Sequence, residues 1–140
     1  MDRVRLRRSG PRQLVGIDER NHTLVLDVKP EVGGEWAGLK PSELLPFSVG
    51  ACIGVTLIGI MEKQRQGPFQ MTVDIDFEQS PEPPSEFTRF ALHWQFSGDN
   101  LDMAKIERAL ETAEKRYCSV SASLKESVKV EHKVTIAGNK

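Results

Sequence analysis

Cysteine, histidine and tyrosine are scarce in this 140-residue chain: two Cys, three His and one Tyr. Two cysteines are too few for a disulfide-built secreted scaffold. The His and Cys residues fall at no metal-ligand spacing, which argues against a zinc site. Neither sign of charge is in excess, with 19 basic and 20 acidic residues, so a general polyanion binder is disfavoured. No Gly-rich phosphate loop is present, because GACIGVTLIG carries no Lys and lacks the strand-loop context. No apolar stretch follows the charged start MDRVRLRRSG. The expectation is a cytoplasmic protein without a secretory leader, in which Cys52 and Cys118 are thiols at rest.

What is present reads as one α+β domain over residues 1–140, in the order βββ-α-ββ-α-β. Val4 and Leu6 alternate with Arg3, Arg5 and Arg7, and Leu24, Leu26 and Val28 alternate with Thr23, Val25 and Asp27. Turn chemistry lies between them at residues 18–22. Residues 69–78 and 87–96 alternate with the same period and predict a long antiparallel hairpin, half exposed. Gly98-Asp99-Asn100 is expected to cap an amphipathic helix from Leu101 to about Tyr117, with Met103, Ile106, Leu110, Ala113 and Tyr117 as its apolar stripe. Val128, Val130, Val134 and Ile136 form a last strand, with His132 on the same face.

The longest uncharged run is Leu44–Met61, LLPFSVGACIGVTLIGIM. Ser42 is its expected N-cap, with Glu43 in the first turn, and Gly67-Pro68 its stop. The run just reaches the length of a membrane span. Its Gly, Pro, Ser and Thr content and its highly charged neighbours favour a core helix apolar on all sides instead. One small chain has little material to wrap such a helix, so a second copy is expected to complete its cover as a homodimer.

Taken alone, Cys52 reads as a buried small hydrophobe. Cys118 reads as a helix C-terminal residue, where the helix dipole disfavours a thiolate. Both have small neighbours, in Gly50-Ala51-Cys52-Ile53-Gly54 and Cys118-Ser119-Val120-Ser121. A disulfide between them requires Cα atoms within about 7 Å. The Arg run at residues 3, 5, 7, 8 and 12 reads as the solvated face of an edge strand rather than a nucleic-acid surface. His132 reads as a satisfied core or interface histidine and His93 as exposed. Trp36 reads as a hydrophobic cover.

The segments GLKPSELLPFSVGACIGVT (38–56), LDMAKIERALETAEKRYCSVSASL (101–124) and FALHWQFSGDNLD (90–102) resemble those of the OsmC/Ohr family, the osmotically inducible and organic hydroperoxide resistance proteins. The resemblance implies an intertwined homodimer of α+β sandwich subunits. It also implies thiol-dependent reduction of organic hydroperoxides, with Cys52 as peroxidatic thiolate and Cys118 as resolving thiol. An external dithiol is the expected reductant, and no metal or flavin is needed. The family ionises its thiolate with an Arg held by a Glu. Here the acid after the helix-start Pro stands one position later, at Glu43, and residues 29–40 contain no Arg. Arg20 is the substitute, with Arg12 behind it. Glu43 precedes Cys52 by nine residues, a rise of roughly 13.5 Å and 2.5 helical turns. A Glu43 acting at Cys52 would therefore come from the partner subunit or across a bend at Pro46. The rival reading is a protein that keeps the fold and thiols but only binds an apolar or thiol-reactive small molecule. No nucleic acid or membrane partner is expected.

Overall fold

The computed structural model describes residues 1–138. The chain divides into two compact units, Met1–Leu45 and the residues from Pro46 onward. The expected order of elements is realised, with one short helix added before the last strand.

In the first unit, β1 (Arg5–Arg8), β2 (Leu14–Ile17) and β3 (Thr23–Leu26) form an antiparallel meander with β1 at an edge. Residues Arg5↔Ile17 and Leu14↔Leu26 are in register. All of β1 is exposed, as the Arg pattern predicts. The β2–β3 turn is closed by the Asp18 carboxylate, which accepts the N–H groups of Arg20 at 2.8 Å and His22 at 2.9 Å. After β3 the chain folds back, and Leu39 N–H donates to Val25 O at 2.9 Å. Gly38 permits this approach: a Cβ there would lie 2.3 Å from Val25 O. Alternation puts Asp27 on the polar face of its strand, but the structure buries it just past the end of β3. Trp36 is mostly exposed rather than a cover.

The second unit is built on a sheet of order β4-β5-β6. Strands β4 (Phe69–Gln79) and β5 (Phe87–Gly98) are the expected hairpin, and β6 (Lys129–Ile136) pairs parallel to β5. A parallel return needs a crossover. Here it is residues 99–128, containing α2 (Met103–Thr112), a π-helical turn (Ala113–Tyr117) and α3 (Ser119–Ala122). Period 2 sorts β5 cleanly: Phe90, Leu92, Trp94 and Phe96 are all buried. Ile106, Ala109, Leu110 and Ala113 complete the core from the crossover. Truncating a buried aromatic of this kind to Ala costs about 3–5 kcal/mol.

The long helix is α1 (Leu44–Lys63), whose first two residues belong to the first unit. Its entry differs from the Ser42-capped start. Pro41–Glu43 form a 3₁₀ turn, and the Glu43 carboxylate reaches back to the Lys40 N–H at 2.9 Å. Residues 41–63 are long and apolar enough to cross a membrane by length and composition alone. Yet Val49, Ile53, Leu57 and Met61 are fully buried in the protein. Two glycines seat this face. A Cβ at Gly50 would collide with the Ile75 side chain, and one at Gly54 would sit 3.4 Å from the Trp94 ring. The helix is not covered on all sides, however: Phe47 is 56% and Val55 72% exposed.

The second helix also departs from its expected course. Asp102, not the 98–100 turn, caps α2, accepting Lys105 N–H at 3.1 Å. The π turn then widens the helix by one residue and shifts its phase. Tyr117, predicted on the buried stripe, is consequently turned out and exposed.

Candidate functional site

The second unit brings the two cysteines together. Cys52 projects from the middle of α1 and Cys118 lies between the π turn and α3; both are free thiols. The Cys118 side chain, the Val120 N–H and the Ser119 hydroxyl and N–H lie near enough to the Cys52 thiol to influence its ionisation. Cys118 is 3% exposed.

Cys118 does not occupy a helix C-terminus in the sense expected from sequence. The backbone turns extended at Cys118 (φ −79°, ψ 105°), and the residue becomes the N-cap of α3. Its Sγ accepts the Ser121 N–H at 3.3 Å. This reversal matters because the first N–H groups of any helix have no partner within it. In α3 those of Ser119 and Val120 are among the groups that lower the pKa of the Cys52 thiol.

Electrostatics follow from these partners. The hydrogen bond with Cys118 is the largest influence holding the Cys52 thiol below its ordinary pKa. The Val120 N–H comes next, desolvation opposes both, and the Ser119 hydroxyl and N–H add to the lowering. Donors that stabilise a thiolate outweigh the burial that would suppress it. The groups that lower this thiol most are neutral ones.

Glu43 and Arg20 belong to the first unit and are engaged there. Glu43 holds the Lys40 N–H as described. The Arg20 guanidinium pairs with Asp18 at 3.0 Å on the surface.

Sequence reasoning missed Ser119, Val120 and Ser121. Val120 acts through its main chain, for which the residue type carries no signal. The Ser121 hydroxyl is buried without a partner. The small residues around Cys118 were the available clue. His132 is satisfied inside the fold as expected, between Trp94 and Glu114. His93 is half-buried rather than exposed and bonds Thr135 at 3.1 Å. No cluster of three His, Cys, Asp or Glu suited to a metal occurs among the described residues.

Comparison with known proteins places these residues in a wider setting. The family model described as OsmC-like protein matches residues 33–133, which include both cysteines. Protein YhfA of Escherichia coli K12 is 30% identical over 92 residues, 66% of this chain and 69% of that protein. A crystal structure from Aquifex aeolicus VF5 superposes with a TM-score of 0.84 at 22% identity, covering 100% of this chain and 98% of that one. The organic hydroperoxide resistance protein OhrB of Bacillus subtilis superposes with a TM-score of 0.62 at 17% identity, covering 96% and 98%.

Proposed function

The chain belongs to the OsmC-like protein family, and from that premise we propose that it is a thiol-dependent reductase of organic hydroperoxides, cytoplasmic and homodimeric. The reading rests on one observation above all: a Cys52 thiol eased toward thiolate by Cys118 and the start of α3. The hydroperoxide resistance protein among its structural relatives supports the choice of substrate.

The Cys52 thiolate attacks the distal peroxide oxygen. The O–O bond breaks, and the alkoxide leaves and takes up a proton as alcohol. Cys52 becomes a sulfenic acid. The Cys118 sulfur then attacks the Cys52 sulfur; hydroxide departs with the Cys118 proton as water, and a disulfide remains. An external dithiol reduces that disulfide by exchange and is itself oxidised. In this scheme the ionising role assigned to Arg20 and Glu43 passes to the Cys118 side chain and to the Val120 and Ser119 donors. Arg20→Ala and Glu43→Gln are expected to leave the Cys52 thiolate titration, followed by ultraviolet absorbance, where it is in the parent.

The exposed Phe47 and Val55 on α1 support a second copy as the missing cover. Val55→Glu is expected to shift the protein from dimer to monomer in sedimentation. A monomeric parent would overturn this part of the reading.

One observation favours a second reading, a small-molecule-binding protein without peroxidase activity. It is that the groups doing most to ease Cys52 toward ionisation are all neutral. A thiol titration decides. One equivalent of cumene hydroperoxide should remove both titratable thiols per chain, and dithiothreitol should restore both. Survival of both thiols would leave the binding reading.

A further inference from the structure

A buried hydrogen-bonded chain links the seat of α1 to the turn that carries Cys118. Trp94, fully buried on β5, donates its indole N–H to His132 Nδ1 at 2.9 Å. An indole nitrogen only donates, so Nδ1 is the acceptor and the imidazole proton is on Nε2. That Nε2–H donates to Glu114 Oε1 at 2.6 Å. His132 and Glu114 are both largely shielded from solvent, with side chains 17% and 16% exposed. Glu114 sits in the π turn, four residues before Cys118. At the other end, the Trp94 ring lies against Gly54, two residues after Cys52. The chain therefore runs from Gly54 on α1 through Trp94 on β5 and His132 on β6 to Glu114 in the π turn, shortly before Cys118, whose side chain influences Cys52.

We propose that Glu114, His132 and Trp94 are positioning residues for the thiol pair, fixing the π turn so that Cys118 is presented to Cys52. This rests on the reading of the two cysteines as a redox pair. The need for such a device follows from the backbone. A π turn is a rare element, seen mostly as a single turn and frequently at functional sites. The segment beyond it is a single short helix. A misplacement of about 1 Å is enough to cost roughly 100-fold in a reaction between held groups. Glu114 is where the turn is tied to the sheet.

The test uses the intact, reduced protein and diamide as oxidant. The two thiols lose two electrons and two protons, and the diamide N=N bond is reduced to the hydrazine. Closure is followed as the Cys52–Cys118 disulfide by mass. Cys52 reactivity alone is followed by iodoacetamide in matched Cys118→Ser backgrounds. Glu114→Ala and His132→Ala should slow closure at least about tenfold relative to alkylation, since they release the tether. Glu114→Gln keeps an oxygen acceptor for Nε2–H and should close within about twofold of the parent. Trp94→Phe keeps an aromatic ring on β5 but removes the donor, and should be slowed as well; it carries the test if Glu114→Ala does not fold. Closure at the parental rate in Glu114→Ala and Trp94→Phe, or equal slowing in Glu114→Gln and Glu114→Ala, would overturn the proposal. Failure of the parent itself to close a disulfide would instead defeat the redox-pair reading, and this inference with it.

Discussion

Asp27 in the first unit and Cys52 in the second meet the same physical problem. Each can carry a negative charge and each has N–H groups near it, Asp27 being buried and Cys52 half-buried. The Asp27 carboxylate accepts Val28 N–H at 2.7 Å, Ala37 N–H at 3.1 Å, Glu35 N–H at 3.4 Å and the Gln13 amide at 3.4 Å. These bonds, led by Val28, hold it below the usual carboxylate range against desolvation. Cys52 has a similar set from Cys118, Val120 and Ser119, with the same opposition from burial. The difference lies in where each group starts. A carboxylate is ionised at neutral pH before any donor reaches it, so the donors around Asp27 organise a loop and change no charge. A thiol begins near pKa ~8.5, so donors around Cys52 decide how much nucleophile exists. One arrangement supplies architecture in the first unit and reactivity in the second.

The largest expected effect is on the reactive side. Cys52→Ser should lower hydroperoxide consumption by at least about 100-fold, since the thiolate is the nucleophile, while leaving the circular dichroism spectrum intact. The matching break on the structural side is Asp27→Ala. It removes the acceptor from several donors at once and should give a clear loss of melting temperature, read by calorimetry, with the Cys52 titration unmoved. A protein as stable as the parent would remove Asp27 from its structural role.

Smaller effects sharpen the same contrast. Cys118→Ala removes the largest of the influences on Cys52 and should move its thiolate titration to higher pH. Val120 and Ser119 would retain the rest. The fourth test concerns acid. Asp27 has its folded pKa depressed, so its contribution to stability is fully present above the unfolded carboxylate range. It is lost as pH falls through the folded value. Asp27→Asn should therefore flatten the decline in denaturation midpoint between neutral pH and about pH 3. The flattening should be partial, because Asp18, Glu86 and Glu131 are also held low by their partners.

The parts of the fold legible in the sequence are those with a local period. Strand β5 is readable because Phe90, Leu92, Trp94 and Phe96 leave no doubt about its inner face. The end of α1 is readable from Gly67-Pro68. The uncovered face of α1 is legible only as a mismatch between eighteen uncharged residues and too little protein to bury them. What local pattern does not carry is the change of phase at residues 113–117. One extra residue in a turn leaves the composition unchanged, yet it turns Tyr117 outward and makes Cys118 an N-cap. Both cysteines were legible as candidates, but the donors that tune Cys52 were not, being largely backbone. The Trp94–His132–Glu114 chain joins residues 18 to 38 positions apart, beyond any periodic signal.

The parallel pairing of β5 with β6 has a consequence in time. Synthesis delivers the chain from its N-terminus, so α1 and the β4–β5 hairpin are made before residues 118–120 exist. A nascent chain at that stage holds Cys52 but neither Cys118 nor the Val120 N–H. Only the return of the crossover to β5 supplies the donors that ease Cys52 toward thiolate. Cys52 therefore passes through the ribosome tunnel and the early stages of folding as an ordinary thiol. Its tuned chemistry arrives with one of the last stretches of chain to be made.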